Sequence, residues 1–277
     1  MIIDPILTAA LRHWGARAIP FSDHPGESPF LSPAWEEALQ RLNQTAALRS
    51  LMLLSGDNGV GKSALAAHWL ASLETKAYLP LVITQATLSA SGLFAVLLRK
   101  LGQSSSLYRS RNLDRLENAL KELGRITPIL VLDEAQQYGP GALEEIRLLL
   151  GLNLPRQPVF ALILLGDPYL QDTLRLQQHK ALYSRISVHC QLGALERLQI
   201  EPYLMHHLRQ AGLERPCLAT AAVDLLASAS RGVPRLLNLL ARAAWLAAAQ
   251  ATANTIGPEH VQRALEMVPA ARDRLNP

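Results

Sequence analysis

Short apolar runs alternate with longer amphipathic segments over the first two thirds of the chain. The apolar runs are "SLMLLSG", "YLPLVIT", "TPILVLDEA" and "PVFALILLG", and each has the length of a buried strand. The segments between them include "KSALAAHWLASL", "SASGLFAVLLRKLG", "LDRLENALKELGR" and "GALEEIRLLLGL", whose apolar spacing is that of helices. This alternation predicts an α/β fold with a parallel sheet covered on both faces.

After about residue 192 the pattern is that of helices alone. The segments are "EPYLMHHLRQAGL", "TAAVDLLASAS", which Thr220 is expected to cap, "VPRLLNLLARAAWLAAAQA" and "GPEHVQRALEMV". At the other end, Ser32 and Pro33 are typical of a helix start, and the residues before them are rich in proline and turn formers. We therefore expect an N-terminal segment at 1–33, an α/β domain at 34–192 and a small all-α domain at 193–277.

Composition and charge narrow the class of protein only slightly. Aromatic residues make up 5 % of the 277 residues, and the apolar residues are mostly leucine and alanine, which favour helices. The net charge of +4 permits binding to a polyanion without requiring it. Cys190 and Cys217 match no metal or redox spacing, so a reducing cytoplasm is expected. No uninterrupted apolar run approaches the roughly 20 residues that cross a bilayer, so no membrane partner is expected.

The segment "GDNGVGKS" (56–63) carries the clearest chemical signal. It fits the pattern G-x-x-x-x-G-K-[ST] and lies between a predicted strand and a predicted helix, where backbone N–H groups and the helix N-terminus bind phosphates. Lys62 is expected to reach the β- and γ-phosphates of ATP, and Ser63 to bind Mg²⁺. The expected nucleotide contacts are Gly56, Asp57, Asn58, Gly59, Val60, Gly61, Lys62, Ser63 and Ala64.

The segment "ILVLDEAQQ" supplies two carboxylates at the end of a predicted strand. Open α/β sheets bind ligands at the carboxyl ends of their strands. Asp133 is therefore expected to hold the Mg²⁺ shell, and Glu134 to orient and polarise the attacking water.

The order of these motifs resembles that of the AAA+ ATPases, and in particular the branch that holds the general-secretion A-type ATPases and the transposition ATPases of the MuB, TnsC and TniB kind. The segments that carry this resemblance, from about residue 14 to residue 268, are "PF" (20–21), "SPAWEEALQRL", "GDNGVGKS", "LVLDEAQQ", "LILLGDPYLQDTL", "SRISVHCQLGAL" and "RGVPRLLNLL". The resemblance implies a P-loop sheet domain followed by an α-helical lid.

Two further catalytic residues are implied by this resemblance. The polar residue known as sensor 1 corresponds to Asp167, where the family usually has Gln, Thr or Asn; Asp167 and Pro168 are equally well explained as the first residues of a helix. Arg185 corresponds to the arginine finger that a neighbouring subunit delivers, which makes hydrolysis depend on assembly. An ordinary surface arginine is the alternative, and Arg175 and Lys180 are nearby substitutes.

The resemblance also assigns two nucleotide contacts outside the phosphate loop. "RGVPR" resembles the sensor 2 motif, and Arg235 would lie in a first helical turn, where a cation is disfavoured unless an anion is bound. Pro20 and Phe21 would form a wall of the adenine pocket, with the N-terminal segment packed near the nucleotide. A turn with a buried phenylalanine explains the same two residues.

The basic segment 99–116, "RKLGQSSSLYRSRNLDRL", is the candidate partner surface. Its arginines, serines and tyrosine suit contact with a phosphate backbone, and the resemblance places such a region in the DNA channel of transposition ATPases. We name Lys100, Arg109 and Arg111 as candidate contacts to duplex DNA. A solvated loop with scattered charges is the alternative.

Two functions follow as expectations. The first is an ATP-dependent, DNA-binding regulator of transposition. It would assemble as a ring or helical filament on duplex DNA of any sequence and recruit or activate a transposase, and hydrolysis would drive disassembly. A target-selection protein would be an additional partner. The second is a secretion-type ATPase that energises assembly of an envelope complex. Such proteins usually continue into a membrane helix and a wall-binding region, and initiator loaders of the Orc type into a winged helix, so the first function is favoured.

Overall fold

The computed structural model describes residues 4–22, 28–84, 90–151, 158–215 and 217–269. Its strands are β1 (Leu51–Ser55), β2 (Tyr78–Ile83), β3 (Thr127–Leu132), β4 (Ala161–Gly166) and β5 (Ile186–Gln191). Its helices are α1 (Pro5–Trp14), α2 (Pro33–Leu48), α3 (Lys62–Ser72), α4 (Ala90–Lys100), α5 (Arg109–Glu122), α6 (Pro140–Leu149), α7 (Pro168–Arg175), α8 (Lys180–Tyr183), α9 (Arg197–Gln210), α10 (Thr220–Ser230), α11 (Pro234–Gln250) and α12 (Pro258–Met267). Short 3₁₀ turns cover Ala135–Gln137 and Gln177–His179.

The strands form one parallel sheet in the order β2-β3-β4-β1-β5. Every residue of the inner strands β1, β3 and β4 is buried, which explains why these strands are continuous apolar runs. Pro80 lies in β2 at the edge of the sheet, where a missing N–H leaves no gap in the ladder. The predicted α/β class and parallel sheet are confirmed.

The carboxyl ends of the inner strands meet at one edge. Gly56 follows β1, Asp133 follows β3 and Asp167 follows β4. The N–H of Gly56 donates to the carbonyl of Gly166 at 3.2 Å, and the N–H of Asp133 donates to the carbonyl of Ile83 at 2.9 Å. The sheet thus brings three sequence-distant candidate residues to the same edge.

The fifth strand was not predicted from the apolar pattern. Strand β5 alternates between half-buried and exposed residues apart from the buried Cys190, and among the described strands it pairs with β1 alone. An edge strand buries little surface, so its sequence "ISVHCQ" lacks the continuous apolar run that marks β1, β3 and β4.

The contacts divide the chain into two compact units. The sheet unit consists of the described parts of 33–58 and 62–192, and the helical unit of the described parts of 1–32, 59–61 and 193–277. The sheet unit has a core of leucine and isoleucine from the strands, closed by Phe94 of α4 and by neighbours on α5 and α6. In the same unit, Trp69 Nε1 donates to Asn43 Oδ1 at 2.8 Å and so fixes α3 to α2.

The helical unit packs α1 with α9, α10, α11 and α12 around the fully buried Trp245. Trp14 of α1 donates from Nε1 to the carbonyl of Trp245 at 3.2 Å, and His13 Nε2 lies 2.8 Å from the carbonyl of Ala253. Residues 4–22 are therefore part of the same core as the C-terminal helices.

Two helix starts differ from the expectation. Helix α9 begins at Arg197, where Glu196 and Gln199 form a capping box, so that Pro202 lies inside the helix instead of at its start. Because Pro202 has no N–H, it cannot donate to the carbonyl of Leu198 four residues before it. Helix α10 is capped by Ala219, and Thr220 is its first residue.

Candidate nucleotide-binding site

The phosphate loop, residues 56–63, connects β1 to α3 with backbone conformations that favour glycine. Gly59 has φ +89° and Gly61 has φ +104°, both in the left-handed region. A Cβ at Gly59 would lie 2.9 Å from Arg235 Cβ, so a side chain there would force the loop to move. Asp57, Asn58 and Ser63 are exposed, whereas Val60 and Ala64 face the protein.

Lys62, the first residue of α3, is buried with its amine turned onto the loop. Its Nζ donates to the carbonyl of Gly56 at 2.8 Å and to that of Asp57 at 3.1 Å. Burial lowers the pKa of Lys62, and the nearby carboxylates of Glu134, Asp133 and Asp167 act in the opposite direction. The amine is thus close to several carboxylates but bonded only to neutral carbonyls. A phosphate oxygen would accept a stronger hydrogen bond from it than these carbonyls do.

Asp133 and Glu134 follow β3 in an unusual turn. Glu134 has φ +51°, a left-handed conformation that costs a non-glycine residue on the order of 1 kcal/mol or more. Asp133 Oδ1 accepts the N–H of Glu134 at 2.9 Å, which holds the turn. Both carboxylates are half-buried at the edge of the sheet.

Gln136 belongs to this cluster, although the sequence analysis gave it no role. Its Nε2 donates to Glu134 Oε2 at 2.6 Å, and its Oε1 accepts the N–H of Asp167 at 3.3 Å. The side chain therefore joins the end of β3 to the end of β4. The repeated amide in "DEAQQ" was a visible signal, but the sequence did not show which glutamine faces the cluster.

Asp167 is the N-cap of α7. Its Oδ1 accepts the N–H of Leu170 at 3.1 Å, and Pro168 is the first residue of the helix. The helix-cap interpretation is confirmed. The carboxylate still influences the charge of Lys62, so the cap and the nucleotide site lie within electrostatic reach of each other.

Arg185, the candidate arginine finger, precedes β5 and makes an internal contact. Its Nη1 donates to the carbonyl of Arg147 near the C-terminal end of α6 at 3.1 Å. Cations are favoured at helix C-termini. In this structure Arg185 therefore supports its own subunit.

Arg235 and the Pro20–Phe21 pair lie in the helical unit. The N–H of Arg235, in the first turn of α11, donates to the carbonyl of Gly59 at 3.1 Å, and the guanidinium side chain is exposed. Phe21 has φ +59°, is 1 % exposed and packs its ring 5.9 Å from that of His207. Pro20 and Phe21 thus form a turn with a buried aromatic ring.

The three candidate DNA contacts differ in their surroundings. Lys100, the last residue of α4, is exposed. The guanidinium of Arg111 lies 4.8 Å from the centre of the Tyr108 ring, a cation–π arrangement. Arg109 Nε donates to Glu145 Oε1 at 2.5 Å. The charge of Arg109 is therefore engaged with a buried carboxylate of the protein.

These residues fit a nucleotide and its metal ion. The glycine loop, the desolvated Lys62 and the N-terminus of α3 form a cradle for phosphates. Ser63 and Asp133 offer the oxygen ligands that Mg²⁺ prefers. Together with the order of the parallel strands, they define the P-loop AAA+ fold.

Comparison with known proteins supports this assignment. Residues 46–174 match the family model described as the AAA domain. Over 243 residues, which is 85 % of this chain, the sequence is 30 % identical to general secretion pathway protein A of Aeromonas hydrophila. The chain spans 44 % of the length of that relative.

Solved structures of similar fold include a Cdc6p protein and an Orc1 protein. The Cdc6p protein of Pyrobaculum aerophilum is matched with a TM-score of 0.71 at 21 % identity, over 90 % of this chain and 70 % of that one. The Orc1 protein of Aeropyrum pernix, solved in complex with DNA, has a TM-score of 0.67 at 21 % identity, over 89 % and 68 % of the two chains. At these identities the likeness establishes the fold. Within the described residues, none of the helices combines the length and the hydropathy of a membrane span.

Proposed function

We propose that this protein binds and hydrolyses ATP at the edge formed by β1, β3 and β4. The observation that carries this proposal is the burial of Lys62, whose amine lies 2.8 Å from the carbonyl of Gly56, at the edge of the sheet where Asp133 and Glu134 follow β3 and Asp167 follows β4. A buried amine among three acids is costly to maintain as a structural element, and it suits a site whose occupant is a polyanion with its counter-cation.

Each residue has a role in this proposal. The N–H groups of the phosphate loop bind the phosphates, and Lys62 exchanges a carbonyl of Gly56 or Asp57 for a phosphate oxygen. ATP supplies the phosphoanhydride bond that water cleaves. Ser63 and Asp133 would hold Mg²⁺, which would supply positive charge to the phosphates. Glu134 orients water for attack, and Gln136 holds the carboxylate of Glu134 while it is not engaged.

Arg235 and Arg185 complete the proposed site. Arg235 would bind the phosphates from the lid of the same chain, and Arg185 those in a neighbouring subunit. Arg185 must then leave the carbonyl of Arg147, so hydrolysis would depend on assembly into a ring or filament. Asp167, engaged as a helix cap, would act through its charge, and Pro20 and Phe21 would support the adenine side.

We further propose that the assembly forms on duplex DNA and regulates a transposase, with target selection left to partner proteins. The basic segment 99–116 supports this proposal through the exposed Lys100 and the Arg111–Tyr108 pair. The Orc1 protein of similar fold was solved with DNA. Contact through phosphates predicts binding that tolerates sequence and weakens steeply with salt.

The likeness to general secretion pathway protein A favours a second candidate function. At 30 % identity over 85 % of this chain, it supports a secretion-type ATPase that energises envelope-complex assembly. This function needs the same nucleotide site but no duplex DNA. The two candidate functions therefore differ in whether assembly and ATP hydrolysis respond to duplex DNA.

The test combines nucleotide turnover with microscopy. Purified protein is assayed for ATP hydrolysis and imaged on duplex DNA with a non-hydrolysable ATP analogue and with ADP. Lys62→Ala should lose ATP binding, and Glu134→Gln should bind ATP, lose turnover and accumulate as assemblies.

The same measurements distinguish the two candidate functions. Coating of DNA with the analogue and not with ADP supports the transposition function, whereas ATP hydrolysis that does not respond to DNA supports the secretion function. Parent-rate hydrolysis by Glu134→Gln would remove the role given to that residue.

A further inference from the structure

Helix α6 carries a buried acid whose partner comes from the basic segment. Glu145 is 3 % exposed, and a carboxylate at this depth must be paired. Its Oε1 accepts the Nε–H of Arg109, the first residue of α5, at 2.5 Å. Its Oε2 is buried and has no hydrogen-bond partner among the described residues. The ion pair with Arg109 therefore offsets the cost of burying the carboxylate of Glu145.

The same helix is connected to the nucleotide site. Helix α6 begins six residues after Glu134, and the turn between them is anchored by the buried Ala135 and Tyr138. Near its other end, the carbonyl of Arg147 accepts the guanidinium of Arg185. Helix α6 thus follows the two acids by a short turn in the chain and accepts the candidate arginine finger near its other end.

The basic segment is itself firmly fixed to α5. The amide of Asn112, which is 2 % exposed, accepts the N–H of Ser106 at 2.6 Å and donates to the carbonyl of Ser106 at 2.9 Å. Arg115 Nη1 donates to the carbonyl of Ser104 at 2.9 Å. A displacement of residues 104–108 is therefore expected to displace α5. The ion pair between Arg109 and Glu145 would pass that displacement on to α6.

We propose that the Arg109–Glu145 pair transmits occupancy of the basic segment to the nucleotide site, and that Arg109 is a positioning residue and not a phosphate contact. This inference rests on the proposed DNA-dependent ATPase function. Lys100 and Arg111, which are exposed, make the phosphate contacts, and the ion pair converts that binding into a shift of α6. Coupling between distant sites needs an element whose arrangement both sites bias, and α6 is that element in this proposal.

The test separates affinity from coupling. For the full chain, duplex affinity is measured by fluorescence anisotropy with a non-hydrolysable ATP analogue, and hydrolysis is measured without DNA and at saturating duplex. Glu145→Gln keeps the shape of the side chain and removes its charge. We expect duplex affinity and DNA-free hydrolysis to stay within about twofold of the parent, and the stimulation by saturating duplex to fall at least about fivefold.

Two further variants control for folding and for direct contact. Arg109→Gln combined with Glu145→Gln leaves no unpaired buried charge, so this protein should fold, and its loss of stimulation should equal that of Glu145→Gln alone because the two residues act as one unit. Arg111→Gln, two residues along α5, should weaken duplex binding and retain full stimulation once duplex is saturating.

The failures are distinguishable. A parent protein that neither binds duplex nor responds to it in hydrolysis overturns the proposed function and the coupling together. A responsive parent with equally responsive Glu145→Gln and double variants overturns the coupling alone. Loss of duplex affinity in the double variant as large as in Arg111→Gln, with Glu145→Gln unchanged in affinity and stimulation, would make Arg109 a phosphate contact and also overturn the inference.

Discussion

The side-chain amide of Gln136 donates to Glu134 Oε2 at 2.6 Å while its carbonyl oxygen accepts the N–H of Asp167 at 3.3 Å. One glutamine thus sets the position of the proposed water-orienting carboxylate relative to the end of the neighbouring strand. Because small displacements of a catalytic group lower its rate strongly, Gln136→Ala should reduce ATP turnover about tenfold. Affinity for ATP should change less than twofold.

Gln137 provides the matched control for this prediction. It is the next residue of the same 3₁₀ turn and its side chain is exposed. Steady-state hydrolysis and equilibrium binding of a fluorescent ATP analogue should distinguish the two variants, with Gln137→Ala equal to the parent. Equal turnover in both variants would show that the hydrogen bond from Gln136 does not position Glu134.

Arg185 offers a test of hydrolysis across subunits. Arg185→Ala should bind ATP normally and lose most of its turnover, because a phosphate-neutralising arginine contributes on the order of 10³ or more to such reactions. Arg125→Ala is the control, since Arg125 is an exposed arginine of the same unit and has no role in the proposed nucleotide site. Turnover per subunit, measured over a range of protein concentrations, checks the expectation.

Mixing inactive variants separates a trans role from a structural one. The Glu134→Gln protein retains Arg185, and the Arg185→Ala protein retains Glu134. In a mixed assembly, a nucleotide site with an intact Glu134 can receive Arg185 from a neighbouring Glu134→Gln subunit, and part of the activity should return. If activity does not return and Arg185→Ala melts at a lower temperature than the parent, the hydrogen bond to the carbonyl of Arg147 explains its whole contribution.

The basic segment predicts a specific dependence on salt. The slope of log affinity against log salt is negative, and each lost phosphate contact reduces its magnitude by about one. Lys100→Ala and Arg111→Ala should each produce this change on duplexes of unrelated sequence. Arg125→Ala removes an exposed arginine outside the segment and should leave the slope unaltered; an equal effect of Arg125→Ala would indicate a general charge effect.

His207 makes the helical unit sensitive to acid. Burial lowers the pKa of His207 to about 4, and the neighbouring His206 acts in the same direction. Between pH 6.5 and about 4 the unfolded chain binds a proton at this residue that the folded chain does not bind. The free energy of unfolding therefore falls with decreasing pH across this window, by up to about 1.4 kcal/mol per unit.

Thermal unfolding at several pH values tests this dependence. His207→Gln should flatten the decrease of Tm below pH 6.5, although the lost packing against Tyr203 and Phe21 should lower its Tm at neutral pH. His68→Gln, in the sheet unit, is the control and should retain the parent slope. A parent slope in His207→Gln would assign the acid sensitivity to other groups.

The sequence predicted those parts of the fold in which burial and periodicity coincide. Strands β1, β3 and β4 are buried throughout and appear in the sequence as apolar runs, and Pro33 and Pro168 mark the starts of α2 and α7. Strand β5 was missed because one side of it remains unpaired and its residues alternate in exposure.

Partnerships between distant residues were harder to predict. Glu144 and Glu145 are adjacent in sequence, yet Glu144 pairs with Arg147 at the surface and Glu145 is buried against Arg109. Neighbouring residues of a helix point about 100° apart, so one of these glutamates faces solvent and the other faces the core. Because Glu145 is the buried one, Arg109 is an ion-pair partner of the protein instead of a phosphate contact. The same limitation applies to Gln136 and Gln137, of which one faces the acids.

The position of β1 within the sheet has a consequence for biosynthesis. Its two neighbours are β4 and β5, which leave the ribosome more than 100 residues after it. During synthesis the strand that leads into the phosphate loop therefore has neither of its hydrogen-bonding partners. A nascent chain that stalls before residue 161 would expose an apolar strand with two open edges, the kind of surface that chaperones bind and that promotes aggregation.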